Sequence, residues 1–117
     1  MIDTMLRVAG LAAALVAALA VAQSTAPGDA AAGREQVRMC QGCHGIEGWR
    51  TAFPEVYRVP RIGGQHEAYL VQALRQYKSG ERSHASMRAI ASTLSDKDIA
   101  DLAAFYGRPD IRTASQR

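Results

Sequence analysis

With 117 residues, two cysteines and a formal charge of +3, the chain has room for one small domain at most. Cys40 and Cys43 are separated by two residues, too close to staple distant segments as the disulfides of a small secreted domain do. The positive excess is too thin for a nucleic-acid surface, which needs dense Lys/Arg stripes interleaved with aromatics; it suits docking to an acidic protein, or simply a solvated exterior.

In chain order, Arg7 precedes an unbroken small-apolar run from Val8 to Ala22, and Ala20-Val21-Ala22 supplies the A-x-A pattern that precedes a cleavage point at Gln23. This predicts a cleaved secretory signal peptide over 1–22. As a helix those fifteen apolar residues reach about 22 Å, short of a ~30 Å hydrocarbon core. Asp3 offsets Arg7, so retention as a membrane anchor stays the alternative. Removing 1–22 leaves 95 residues, still at +3, and a core of that size needs a metal, a disulfide or another filler.

Residues 23–28 read as a flexible lead into a single domain over 29–108, with a C-terminal tail at 109–117. Asp29 is an N-cap for a helix over Ala30–Met39 that runs straight into the cysteines. From Gly42 to Gly64 two prolines and several glycines predict loop with at most a helical turn. Tyr69, Leu70, Ala73, Leu74 and Tyr77 recur at helical spacing over 66–79, and Gly80 closes that helix. A shorter piece covers Met87–Thr93. Ser95 and Asp98 form a capping box for a last helix over Asp96–Tyr106, which Gly107 and Pro109 stop. No stretch alternates with period two, so the fold class is all-α: several short helices with long loops.

The chemistry lies in Cys40-Gln41-Gly42-Cys43-His44, the C-x-x-C-H pattern of covalent haem attachment. Two thiols three positions apart on a helical turn can each add to one vinyl group of a porphyrin, and the next residue, His44, then lies beneath the iron as its proximal ligand. One covalently bound haem c would also supply the missing apolar volume. A thioredoxin-like site would need a βαβ context, and a zinc site would have to recruit His66 and His84. The second axial position falls to Met39 or Met87 among the methionines after the leader. Met39 abuts Cys40 on the attachment side, so Met87 is the expected ligand, with His84 as its rival.

Gly33, the attachment motif followed by Gly45, Pro60-Arg61-Ile62-Gly63-Gly64-Gln65, Tyr69-Leu70, Ser79-Gly80-Glu81-Arg82, Met87, and Leu94-Ser95-Asp96-Lys97-Asp98-Ile99 through Ala103-Ala104-Phe105-Tyr106 form an ordered series. In these stretches the chain resembles the class I c-type cytochromes of the bacterial periplasm, and specifically one domain of the cytochrome c-four type. The resemblance implies the cytochrome c fold, with Pro60 offering its carbonyl to the Nδ1 proton of His44. It also implies a crossing of the first and last helices at Gly33, against the side bearing Leu102 and Tyr106. Gly63 and Gly64 would let the chain pass close to the haem, or simply make a turn. The chain departs from that type in two ways: it has one attachment motif where two are usual, and its segment Gly48–Val59 is longer. In and beside that segment Trp49, Arg50, Tyr57, Arg58 and Arg61 are candidate hydrogen-bond donors to the haem propionates, solvent exposure or packing being the alternative for each.

The expected function is that of a periplasmic monohaem cytochrome, not an enzyme, shuttling single electrons in a respiratory chain. Its expected partners are membrane respiratory complexes and periplasmic dehydrogenases or reductases. Docking would be transient, by a monomer, with Arg61, Arg75, Lys78, Arg82 and Arg88 as steering charges. Two alternatives stand beside it: a five-coordinate haem protein that binds a small gas or reduces peroxide, and a permanent haem subunit of an oxidoreductase complex.

Overall fold

A computed structural model describes residues 26–46, 48–52 and 56–114; the expected signal peptide over 1–22 lies outside them. Among these residues six helices follow one another: α1 (Ala30–Gln36), α2 (Arg38–His44), α3 (Glu67–Ser79), α4 (Ala85–Ser92), α5 (Asp96–Tyr106) and α6 (Pro109–Ala114). The only strand-like pairing among the described residues is an isolated antiparallel bridge between Arg50 and Arg58.

The helix ends follow from side chains close in sequence. The Asp29 carboxylate accepts from the amides of Ala31 (2.8 Å) and Ala32 (3.4 Å), two of the donors that a first helical turn leaves without partners. Ser95 and Asp98 close a reciprocal capping box. Asp98 N–H donates to Ser95 Oγ at 3.1 Å, while Asp98 Oδ2 accepts from the Ser95 amide at 2.8 Å. Gly80 ends α3 with φ of 89°, a left-handed conformation in which a side chain would be strained.

Three boundaries differ from those expected. The helix predicted over Ala30–Met39 breaks at Val37 and resumes to His44. Val37 is drawn into the core, and its carbonyl accepts from both Cys40 and Gln41 at 2.9 Å, tightening the chain into a new helix. Second, α4 starts at Ala85, before the expected Met87, because the His84 side chain caps it. Third, the segment read as a tail contains α6. Pro109 does stop α5, but it serves as the first residue of the next helix, where its missing N–H costs nothing. Ile111 then packs against the core, close to Gly63.

The core joins α1, α3 and α5. Ile99, Leu102, Ala103, Phe105 and Tyr106 of α5 meet Leu70 of α3, Val37 and Leu94. The most extensive helix pairing is α1 on α5, and α3 packs on both α4 and α5. At the α1–α5 crossing there is no room for a side chain. A Cβ on Gly33 would overlap the Asp101 carbonyl and stand 3.0 Å from Phe105 Cβ, and one on Gly28 would overlap the Ala100 carbonyl. The expected crossing at Gly33 is present, and the surface that meets it is formed by Asp101 and Phe105. Asp101, 2% exposed, ties the same junction together: its carboxylate accepts the Asp29 amide at 2.8 Å and the ammonium of Lys97. The Asp29 amide, and then Lys97, hold the Asp101 carboxyl below the usual aspartate range.

Two outcomes follow for the holoprotein. Gly33→Ala should lose about 3 kcal/mol in guanidinium unfolding, the upper end for overpacking, because the obstructing atom is backbone and cannot rotate away. A loss of a few tenths would show that the helices can separate freely. A depressed folded-state value for Asp101 stabilises above the unfolded value of about 3.9 and loses that contribution as pH falls through the folded value. Asp101→Asn should therefore melt below the wild type at pH 7, with the gap narrowing below about pH 4; a pH-independent gap would assign the effect to shape rather than charge.

Candidate functional site

Cys40, Cys43 and His44 of the attachment motif all lie on α2. Cys40 is half-buried against the core, Cys43 is exposed, and His44 is the last residue of the helix. Burial pushes the Cys40 thiol up, a shift that the neighbouring Tyr106 hydroxyl opposes. Gly42 sits between the cysteines with open space around its Cα. Helical spacing therefore presents both sulfurs and the imidazole from little more than one turn.

His44 Nδ1 donates to the Pro60 carbonyl at 2.7 Å. A carbonyl can only accept, so this contact places the proton on Nδ1 and leaves Nε2 with its lone pair, the form that ligates a metal. A contact of this kind fixes the ring's orientation and tautomer.

The loop after α2 forms a small hairpin. Thr51 N–H donates to Tyr57 O and Val59 N–H to Trp49 O, both at 2.9 Å, on either side of the Arg50–Arg58 pair. Four of the five candidate propionate donors are thus brought together, and Arg61 follows just beyond Pro60. Two arginines directly opposite one another repel, so the hairpin gains from an anion nearby. Trp49 and Tyr57 are substantially exposed, as are Ile46 and Val56 in the same stretch.

Met87 is half-buried in the first turn of α4, and its amide donates to His84 Nδ1 at 3.3 Å. His84 is therefore a helix cap as well as the rival ligand. Its ring lies 5.1 Å from that of Tyr57 and 6.5 Å from that of Tyr77. Of the expected steering charges, Lys78 donates to the Leu94 carbonyl at 2.6 Å, and Arg82 lies 5.3 Å from the Tyr77 ring centre and 5.8 Å from that of Tyr69. Arg88 lies over Gly80, Arg75 is half-buried and Arg61 is exposed.

Sequence reasoning passed over one polar group. The Tyr106 hydroxyl is buried without a hydrogen-bond partner, on a ring that periodicity marks only as core. An open groove of about 490 Å³ is lined by Arg34, Val37, Arg38, Phe105, Arg108 and Ile111 among others, but by neither cysteine of the motif, His44 nor Met87. Concavity does not mark the chemistry here.

These residues fit a covalently held haem. The imidazole is in its ligating tautomer, two unpaired thiols share its helix, and among the described residues α2 takes part in no extensive helix pairing, leaving apolar side chains around it exposed.

Comparison with known proteins agrees. Residues 30–106 match the sequence family described as Cytochrome c. The chain is 42% identical over 82 residues to cytochrome c-554(548) of Halomonas halodenitrificans, covering 68% of this chain and 94% of that protein. It is 38% identical over 81 residues to cytochrome c4 of Pseudomonas aeruginosa, covering 69% of this chain and 38% of that one. A protein of Thiomonas intermedia named as a thiosulfate dehydrogenase electron acceptor is 34% identical over 93 residues, covering 80% of this chain and 42% of that one. The chain thus spans about two fifths of the cytochrome c4 it matches and nearly the whole of the cytochrome c-554(548).

Proposed function

The chain belongs to the cytochrome c family, and on that premise we propose that it is a periplasmic carrier of single electrons in a respiratory chain, not an enzyme. At the level the family establishes, it is an electron-transfer haem protein related to cytochrome c4, with covalently bound haem c as its cofactor. Bound haem supplies one iron that alternates between the ferrous and ferric states.

The observation that carries the reading is the His44–Pro60 contact at 2.7 Å on the helix that bears both cysteines. Cys40 and Cys43 would hold the group and His44 Nε2 would ligate the iron from one side. Met87 is the proposed ligand on the other. His84 Nδ1 accepts the Met87 amide, which leaves the proton of the neutral ring on Nε2 and removes the lone pair that His84 would need. A thioether ligand favours the reduced state and, by filling the sixth position, keeps small molecules off the iron. The paired Arg50 and Arg58, with Trp49, Tyr57 and Arg61, are the proposed partners of the propionates.

Export follows from the leader expected over 1–22; among the described residues no helix is long and apolar enough to cross a membrane. The Thiomonas relative, named as an electron acceptor of thiosulfate dehydrogenase, supports dehydrogenases as one class of donor. Docking would be transient and by the monomer. Arg61, Arg75, Lys78, Arg82 and Arg88 are the proposed steering charges.

Visible spectra of the periplasmically matured protein test this reading. The reduced wild type should be low-spin, the oxidised form should show the weak far-red sulfur-to-iron band, and carbon monoxide should bind poorly. Met87→Ala should lose that band and take up carbon monoxide readily. A wild type that is already high-spin and binds carbon monoxide would move the protein to the gas-binding or peroxide-reducing alternative.

A further inference from the structure

One buried polar group has no task in the scheme above. Tyr106 is 8% exposed, and its hydroxyl has no partner of hydrogen-bonding geometry. Leaving such a group unsatisfied costs about 1–3 kcal/mol, and a phenylalanine would fill the same space without that cost. The polar group beside the hydroxyl is the Cys40 thiol, which packs against the core cluster that contains Tyr106. Burial, and secondarily the Cys40 sulfur, push the Tyr106 phenol far above its ordinary range, so it stays protonated and able to donate.

We propose that Tyr106 is a positioning residue for the haem-linked sulfur of Cys40, donating its O–H to the thioether and drawing electron density away from that edge of the porphyrin. The inference rests on the attachment reading. When the Cys40 thiol adds across a vinyl group, the S–H bond breaks, an S–C bond forms and the hydrogen goes to the other vinyl carbon, with no net oxidation. The sulfur then has no proton of its own and can only accept, so the orphaned hydroxyl becomes the complementary donor. Because Tyr106 stands on α5 and Cys40 on α2, the contact also adds a polar link between the attachment helix and the α1–α5 crossing to the apolar packing of Cys40. Withdrawal of electron density favours ferrous iron, so the hydrogen bond raises the potential.

The test uses the matured holoprotein and Tyr106→Phe, which keeps the ring. Covalent attachment is checked first by the haemochrome spectrum of acid-acetone-extracted protein; a wild type without covalent haem would defeat the attachment reading itself. With attachment present, resonance Raman spectra in H2O and D2O should show an isotope shift of a thioether C–S mode in the wild type. The shift should be absent from Tyr106→Phe, whose midpoint potential should also be lower. A merely structural role for Tyr106 would leave the C–S mode insensitive to deuterium. Should Tyr106→Phe fail to mature, the wild-type spectrum decides alone, since an isotope shift supports the hydrogen bond and its absence overturns it. An unchanged potential in a folded Tyr106→Phe would likewise overturn the electronic role.

Discussion

The fold depends on one close approach to the α5 backbone, made by Gly33 within α1 and by Gly28 just before it. Two helices touching main chain to main chain leave little freedom in angle or register. The apolar side of α5 then closes the core with Leu70 and Val37. Asp101 adds a polar constraint at the same place, because its buried carboxylate has to find the Asp29 amide and the Lys97 ammonium or carry a desolvation cost. Once α1 is seated, Val37 is seated too, and the chain that leaves it has one short helix in which to present two sulfurs and an imidazole. The position of the chemistry is therefore inherited from a contact that contains none of it.

What could be read from the sequence was what is decided locally. Asp29, the Ser95–Asp98 box and Gly80 mark helix ends because each cap acts within three or four residues. The attachment motif was legible because its five residues are contiguous and the chemistry needs that spacing. The break at Val37 and the helix after Pro109 were not, since one is decided by burial against α3 and α5 and the other by the packing of Ile111. The hairpin between Trp49 and Val59 was hidden for a different reason: it is held by backbone bonds and by Thr51, and its sequence has no alternation to announce it.

The same division runs through the site. The partner of the His44 ring sixteen positions away could be anticipated only from the family resemblance, since nothing in Pro60 itself advertises its carbonyl. Helical periodicity correctly assigns Tyr106 to the core, and in doing so conceals the hydroxyl at its tip. His84 illustrates the reverse case. Its composition suggested a possible ligand, whereas its backbone position makes it the cap of the helix that carries Met87.

The interruption at Val37 also divides the work of the chain in time. Without it, a single rod from Ala30 to His44 would make any opening of the attachment turn drag on the scaffold. As built, α2 fully buries none of its own side chains, so far less packing opposes its local opening than opposes separation of α1 from α5. A rigid prosthetic group that must be joined at two points can thus be fitted into a house whose frame is already standing.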